Sequence, residues 1–402
     1  MKKIGFCFFV FLAFVSLYGQ QKDTLNTSKS LFLEKLKPYG TLSHKNNIGD
    51  RKKLAILLPF NLSSFESDTI NSIASRLKKD KFLNITLDFY AGALMAIDSA
   101  KAIGIPVDIS VFDSQETKQS SAVLNVILEN ELQDFQAIIG PLYQNSIDKA
   151  ADFLLGQSVV MISPLSKDTG SAFPNLYKSV PTNDVLKSAM FEYMNKKNGN
   201  IIAVVDKKRE SVRQYIQTNH KGVRFAALNE NGSLNLESLI NLLVKDRINY
   251  VILETANTMM IKWTMQTLLT AMKSYKVQLV ILEPNETLDT DEINFENLTK
   301  LNLMFPSITN ENDSYKAQIF EKEFRKINKI APNMYATRGF DLTFDTLLRL
   351  VQGKSYQETI DAMATEQLNN RFEYYKTDNG GYANKGVYIL YYDTDLKIKQ
   401  AK

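Results

Sequence analysis

Residues 137–164 read AIIGPLYQNSIDKAADFLLGQSVVMISP, and this stretch indicates the fold. A short apolar run at its start ends at a Gly-Pro pair, and a second apolar run, residues 159–162, ends at a Ser-Pro pair. The chain between the two runs carries apolar side chains at helical spacing, namely Ile147, Ala150, Ala151 and Leu154. Continuous apolar runs are typical of strands buried on both faces of a parallel sheet, so the stretch predicts a strand–helix–strand unit.

Similar units precede and follow this stretch. Further strands are predicted at residues 54–58, 107–112, 201–205, 223–228, 250–253, 279–282, 301–305 and 386–392. Helical spacing separates most of them, and two more helices are predicted around residues 315–328 and 335–351. The pattern breaks near residues 179–183 and then starts again. Strands that alternate with helices predict an α/β protein, with two doubly wound lobes whose sheets are mainly parallel.

The first twenty residues have the order of a secretory signal peptide. Lys2 and Lys3 give a positive start, residues 4–17 are almost all apolar, and Gly19 lies beside the expected cleavage point. The apolar run is shorter than the ~20 residues of a membrane span. We therefore expect a protein exported to the periplasm, with an uncleaved N-terminal anchor as the alternative.

The whole chain is predicted to have four parts. We predict a signal peptide at residues 1–20, a polar leader at 21–51, lobe 1 at 52–180 and 309–379, and lobe 2 at 181–308 and 380–402. The only cysteine, Cys7, falls in the signal peptide, so the mature chain would contain no disulfide and no thiolate nucleophile. Its stability must then come from apolar cores, which a chain of roughly 380 residues can supply in about two domains.

Composition and motifs argue against several classes of function. Lysine and arginine total 48 and aspartate and glutamate total 44, with both signs scattered, so we expect no nucleic-acid partner. The two histidines, His44 and His220, lie in polar, turn-like stretches where we expect them to be solvated. We find no catalytic triad, phosphate loop, dinucleotide fingerprint or metal-ligand spacing. The sequence therefore predicts no enzyme, no cofactor and no metal.

Five short segments resemble the type I periplasmic solute-binding fold, the architecture of the branched-chain amino-acid binding proteins. They are residues 54–60, 89–93, 138–143, 162–166 and 331–341, in the order and spacing of that fold. The chain is also similar to envelope proteins that carry this domain beside a LysM module. The resemblance implies two lobes joined by three crossovers, with ligand held in the cleft between the lobes and closure by hinge bending.

The resemblance also implies where lobe 1 would hold its ligand. Hydroxyls and backbone N–H groups at loop and helix starts would bind a carboxylate, because a helix N-terminus offers free donors and a partial positive charge. Tyr143 would form an aromatic wall, and Ser163 and Ser166 would donate hydrogen bonds. The alternative is that these turns only end strands and that Tyr143 packs. Asp113 and Ser114 end another strand, either as ligand contacts or as the N-cap of the next helix.

In lobe 2, three acidic residues directly follow predicted strands, namely Asp206, Glu254 and Glu283. They could bind an amine or sugar hydroxyls, or they could equally cap the next helices. The amino-acid binders of this fold place a Tyr-Gly pair after the first strand of this lobe, whereas here residues 206–209 read Asp-Lys-Lys-Arg. The missing aromatic wall leaves room for an anionic or bulky ligand, or for no small ligand.

From these observations we expect a monomeric, exported, non-enzymatic solute-binding protein. It would hold a small polar ligand, such as an amino acid or a small peptide, for the membrane permease of an ABC transporter. The alternative is an envelope protein that uses the same fold as a regulator or scaffold for peptidoglycan-synthesis proteins, as some penicillin-binding-protein activators do.

Overall fold

The computed structural model describes residues 51–65, 77, 79–310 and 314–402. The predicted signal peptide and the leader up to residue 50 lie outside the described residues. The chain divides into two units. Unit 1 contains the described residues up to Val180 and those from 314 to Gly386, and unit 2 contains Pro181–Asn310 and Val387–Lys402.

Each unit is built on one seven-stranded sheet. The strands are β1 Lys52–Leu58, β2 Val107–Asp113, β3 Ala137–Ile139, β4 Val160–Ser163, β5 Leu176–Lys178, β6 Asn200–Val205, β7 Arg224–Phe225, β8 Asn249–Glu254, β9 Val277–Val280, β10 Met304–Ser307, β11 Thr365–Glu366, β12 Arg371–Phe372, β13 Tyr374–Lys376, β14 Tyr382–Asn384, β15 Tyr388–Tyr392 and β16 Ile398–Gln400. The helices are α1 Lys81–Ala102, α2 Val123–Glu129, α3 Gln144–Phe153, α4 Asn183–Lys196, α5 Glu210–Asn219, α6 Leu236–Asn241, α7 Thr258–Ala271, α8 Phe295–Lys300, α9 Tyr315–Asn328, α10 Met334–Leu350 and α11 Tyr356–Ala362. None of these helices is long and apolar enough to cross a membrane.

The sheet of unit 1 has the strand order β13-β14-β5-β4-β3-β1-β2, in which only the edge strand β13 is antiparallel to its neighbour. Ile56 on the interior strand β1 lies beside Val111 on the edge strand β2 and Ile139 on β3. Residues 54–58 of β1 are fully buried because helices cover both faces of the sheet, so alternate residues belong to two different apolar clusters.

Helices α1 and α10 pack against each other at two glycines in unit 1. A Cβ atom on Gly92 would lie 1.8 Å from the carbonyl oxygen of Ala336, and a Cβ on Gly339 would lie 2.0 Å from that of Phe89. The backbones approach so closely that only glycine fits at either position. Helix α1 begins after Asp80, whose side chain accepts hydrogen bonds from two backbone N–H groups of the first turn.

The sheet of unit 2 has the strand order β16-β15-β10-β9-β8-β6-β7. Strands β7, β6, β8, β9 and β10 are parallel, and β15 and β16 are antiparallel to their neighbours. Ile252 on the interior strand β8 lies beside Ala203 on β6 and Val280 on β9. The predicted fold class, with two doubly wound α/β lobes and three crossovers, is confirmed.

Several individual elements differ from the prediction. The strand expected at residues 223–228 is only the two-residue β7. Of the strand expected at residues 301–305, only Met304 and Phe305 lie in a strand, as the first residues of β10, because residues 301–302 form a turn after α8. The aromatic strands β5, β13 and β14 were not predicted. Because β14 pairs with β5 and β13, the contact boundary of unit 1 falls at Gly386, whereas the sequence placed the end of lobe 1 at residue 379.

Candidate functional site

The carboxyl ends of the parallel strands in unit 1 carry Asp113 and Ser114. The Asp113 carboxylate accepts hydrogen bonds from the backbone N–H groups of Asn61 (2.9 Å) and Leu62 (2.7 Å), so it fixes the turn that follows β1. Ser114 is fully buried, and its hydroxyl donates to the Glu116 carboxylate over 3.1 Å. Both side chains therefore bind groups of their own unit.

Glu116 was not predicted as a site residue, yet it is central to this edge. Its side chain is fully buried, and its carboxylate accepts hydrogen bonds from the backbone N–H groups of Leu142 (2.8 Å) and Tyr143 (3.3 Å). Burial raises the pKa of Glu116, while hydrogen bonds from Ser146, from these N–H groups and from Ser114 oppose the rise. The carboxylate lies where the chain enters α3, the type of position at which the family resemblance implied a ligand carboxylate.

Tyr143 follows the packing alternative. It is the N-cap residue of α3, and its ring stacks on Phe82 of α1 with centroids 4.3 Å apart and an interplanar angle of 25°. Burial, together with the charges of Glu116 and Asp80, raises the pKa of its phenol. The ring is half-buried and is held in place within unit 1.

The two predicted serines have different environments. The Ser166 hydroxyl donates to Gln144 Oε1 over 2.7 Å and accepts from the Asp168 N–H, so it links its loop to the first residue of α3. The Ser163 hydroxyl is fully buried and finds no hydrogen-bond partner among the residues that the structure describes. A buried hydroxyl without a partner is energetically costly, so Ser163 retains unused hydrogen-bonding capacity.

In unit 2, Asp206 follows the helix-cap alternative. Its carboxylate accepts a hydrogen bond from the backbone N–H of Lys208 (3.0 Å) at the start of the short 3₁₀ helix Lys207–Arg209. It also accepts from the Thr255 hydroxyl over 2.8 Å, which ties the end of β6 to the residue after β8.

Glu254, the last residue of β8, is a buried carboxyl group. Its Oε1 accepts a hydrogen bond from the backbone N–H of Leu282 over 2.7 Å, so the side chain joins the ends of β8 and β9. Burial raises the pKa of Glu254 to about 7, and the nearby charge of Glu283 adds to the rise. Glu254 therefore changes its protonation state near neutral pH.

Glu283 is paired with two cations of its own unit. Lys187 Nζ lies 2.9 Å from one carboxylate oxygen and Arg209 Nη1 lies 3.6 Å from the other. Burial lowers the pKa of Lys187, but Glu283 and Asp184 outweigh burial and leave the pKa above its usual value. The Lys187 ammonium also lies 4.8 Å from the ring centroid of Tyr215. Lys187 was not predicted as a partner of Glu283, because it lies on a helix far along the chain from that residue.

His220 is less exposed than predicted. It is half-buried, and its ring stacks on Phe191 with centroids 3.6 Å apart. Burial lowers its pKa. Among the described residues, no group of three or more histidine, cysteine, aspartate or glutamate side chains is arranged to hold a metal ion.

Comparison with known proteins supports the fold. No protein-family model matches the chain, and no curated protein sequence matches it. A putative branched-chain amino acid ABC transporter protein from Rhodospirillum rubrum is similar in structure, with a TM-score of 0.59 and 11% sequence identity over 88% of this chain and all of that chain. The C-domain of LpoA from Haemophilus influenzae, a regulator of PBP1A, has a TM-score of 0.51 and 12% identity over 87% of this chain and all of that domain.

A second LpoA structure from Haemophilus influenzae has a TM-score of 0.52 and 11% identity over 89% of this chain, which spans 59% of that protein. The chain therefore has the type I periplasmic-binding-protein fold. Its structural neighbours are binding proteins and a regulator, and at these identities the likeness concerns the fold alone.

Proposed function

We propose that this protein is a non-catalytic protein of the cell envelope that acts through contacts with other proteins, in the manner of a regulator or scaffold. The observation that carries the proposal is the position of Glu116. Its carboxylate already accepts the N–H groups of Leu142 and Tyr143 at the start of α3. A free amino acid that offered its own carboxylate there would have to compete with a covalently attached one, at close range and in a buried site.

Unit 2 supports the same conclusion. The three acidic residues at its strand ends already have partners. Asp206 accepts a hydrogen bond at the start of a 3₁₀ helix, Glu254 accepts one from a backbone N–H, and Glu283 is paired with two cations. A ligand amine would have to displace Lys187 or Arg209 from Glu283. The Asp-Lys-Lys-Arg sequence at residues 206–209 also replaces the aromatic pair expected of an amino-acid binder.

One structural neighbour suggests a class of partner. The LpoA C-domain is described as a regulator of PBP1A, so one protein with this fold regulates a penicillin-binding protein. We propose that the partner of this chain is likewise an enzyme of peptidoglycan synthesis. A permease is the partner under the transport alternative.

Two measurements on the purified exported protein test the proposal. Calorimetry against pools of amino acids, short peptides and wall fragments should give no saturable heat from the free amino acids. Crosslinking in intact cells, followed by affinity purification, should recover a peptidoglycan-synthesis enzyme and no permease subunit. Tight binding of a free amino acid, or recovery of a permease alone, would overturn it.

The second candidate function is solute binding for transport, and the unpartnered Ser163 hydroxyl favours it. A ligand that donates or accepts at this buried group would satisfy it. Under this candidate, Ser163→Ala, Ser166→Ala and Glu254→Ala should each weaken a bound ligand by roughly five- to 150-fold, which corresponds to about 1–3 kcal/mol for one buried hydrogen bond.

A further inference from the structure

Unit 1 contains a buried arginine that was not among the predicted site residues. Arg338 lies on α10 with 4% of its surface exposed. One terminal nitrogen, Nη2, donates to the carbonyl oxygen of Ser179 (2.6 Å) and to its hydroxyl (2.7 Å). The other, Nη1, donates to Asn370 Oδ1 over 2.7 Å, and Nε donates to the carbonyl oxygen of Pro164 over 3.3 Å.

The same carbonyl of Ser179 binds a second buried side chain. Asn384 Nδ2 donates to it over 2.8 Å, while Asn384 Oδ1 accepts from the backbone N–H of Gly386, also over 2.8 Å. Ser179 directly precedes Val180, the last residue of unit 1 before the first crossover, and Gly386 is the last residue of unit 1 before the third. Two of the three crossovers therefore leave unit 1 from one hydrogen-bonded cluster.

Asp341, which lies one turn after Arg338 on α10, holds Asn370 of the cluster in place. Its buried carboxylate accepts from Asn370 Nδ2 over 2.7 Å and from the backbone N–H groups of residues 368–370. The charges of Arg338 and Asp341 are thus linked through the Asn370 amide. A glycine is required at position 386, because a Cβ there would lie 2.2 Å from the carbonyl oxygen of Arg371. Every polar group in the cluster faces a defined partner, which makes it rigid.

We propose that Ser179, Arg338, Asn370 and Asn384 form a crossover anchor that holds both chain exits of unit 1 in one fixed geometry. If the protein rearranges, the backbone dihedral angles at these two exits then change after Val180 and after Gly386, not within the anchor. The anchor also reaches the loop that begins at Ser163, because Arg338 binds the carbonyl of Pro164 and the Ser179 hydroxyl donates to that of Ser163 over 2.6 Å. Binding of another molecule to this loop is therefore coupled to the conformation of the two chain exits.

Hydrogen exchange on the whole protein tests the anchor, with Arg338→Met as the variant. The matched control is Arg349→Met. Arg349 is equally buried on the same helix, but it binds Asp345, the Thr359 carbonyl and Thr365 instead of the crossovers. At denaturant concentrations that give the two variants equal global stability, peptides covering 176–182 and 383–388 should exchange about five- to 150-fold faster in Arg338→Met than in the control.

A milder variant covers the case in which Arg338→Met does not fold. Ser179→Ala keeps the backbone carbonyl and removes only the hydroxyl, so it should accelerate exchange in the same two segments by a smaller factor. The amide of Gly386 is the sharpest reporter, since it donates directly to Asn384 and lies far along the chain from position 179. Equal exchange at both segments in the Arg338 and Arg349 variants, or acceleration only near residue 179 in Ser179→Ala, would overturn the proposal.

Discussion

Glu116 places a carboxylate against two backbone donors at the entry to α3. Replacing it with alanine leaves the N–H groups of Leu142 and Tyr143 without their buried acceptor, which costs about 1–3 kcal/mol. We expect Glu116→Ala to lower the free energy of unfolding by that amount in urea titrations. The control is Glu129→Ala, at the exposed end of α2, where we expect a change below about 0.5 kcal/mol. Equal effects from the two substitutions would contradict the capping role.

Glu254 makes stability depend on pH. Its pKa is about 7 in the folded protein, against an ordinary value of 4.5, so the folded state binds the proton more tightly than the unfolded chain does. The resulting stabilisation is complete below pH 4.5 and is lost as the pH rises through about 7.

We therefore expect Glu254→Gln, which mimics the protonated acid, to be more stable than the wild type by about 2–4 kcal/mol at pH 8 and nearly equal to it at pH 4.5. Thermal or urea unfolding across this pH range measures the difference. Glu192→Gln, on the exposed face of α4, is the control and should leave the pH profile unchanged. A constant offset between Glu254→Gln and the wild type at every pH would contradict the assignment.

For single residues, the sequence predicted which polar side chains follow strands, but it did not predict the groups that bind them. Polar residues directly after apolar runs identified Asp206, Glu254 and Glu283 as strand-end groups. Their partners come from other parts of the chain, as Lys187 does for Glu283, and no local spacing encodes them. Glu116 gave no signal for the same reason, because its role depends on the position of the distant α3 N-terminus.

Among the elements, the crossing of α1 and α10 makes the sharpest demand on residue type. Gly92→Ala and Gly339→Ala each place a methyl group about 2 Å from a backbone carbonyl oxygen. Because the clash is with backbone atoms, no side-chain rotation can relieve it. We expect each substitution to cost about 3 kcal/mol or more, measured by urea unfolding. Gly222→Ala is the control, since a Cβ there meets nothing within 4 Å, and we expect almost no loss. Normal stability in either helix variant would show that the two helices separate more easily than this packing implies.

The elements that the sequence predicted well are those buried on both faces. Residues 54–58 and 250–253 are continuous apolar runs, because both faces of an interior parallel strand are buried. Short strands at or beside the sheet edges lack this signal. Strand β7 has two residues and β13 and β14 have three each, and β14 pairs with β5, a strand from a distant part of the chain, which no local pattern encodes.

For the whole molecule, the fold follows from two separate cores. In unit 1, the two faces of β1 contribute to two apolar clusters, one of which contains Ile56 and the other Leu57. In unit 2, alternate residues of β8 divide in the same way, with Val251 in one cluster and Ile252 in the other. Each of the four clusters draws its residues from a single unit, so each unit has its own source of apolar stabilisation.

The separate cores predict that the two units respond independently to core damage. Ile56→Ala and Ile252→Ala are a matched pair, since both residues are fully buried in an interior parallel strand, with a parallel strand paired on each side. Each substitution should cost about 2–5 kcal/mol by creating a cavity. In hydrogen exchange on the intact protein, Ile56→Ala should accelerate exchange in the core strands of unit 1 and leave β6 and β8 protected, and Ile252→Ala should do the reverse, with β1 and β3 protected. If either variant accelerates exchange equally in both sheets, the prediction is wrong. The two units then unfold as one cooperative structure even though their cores are separate.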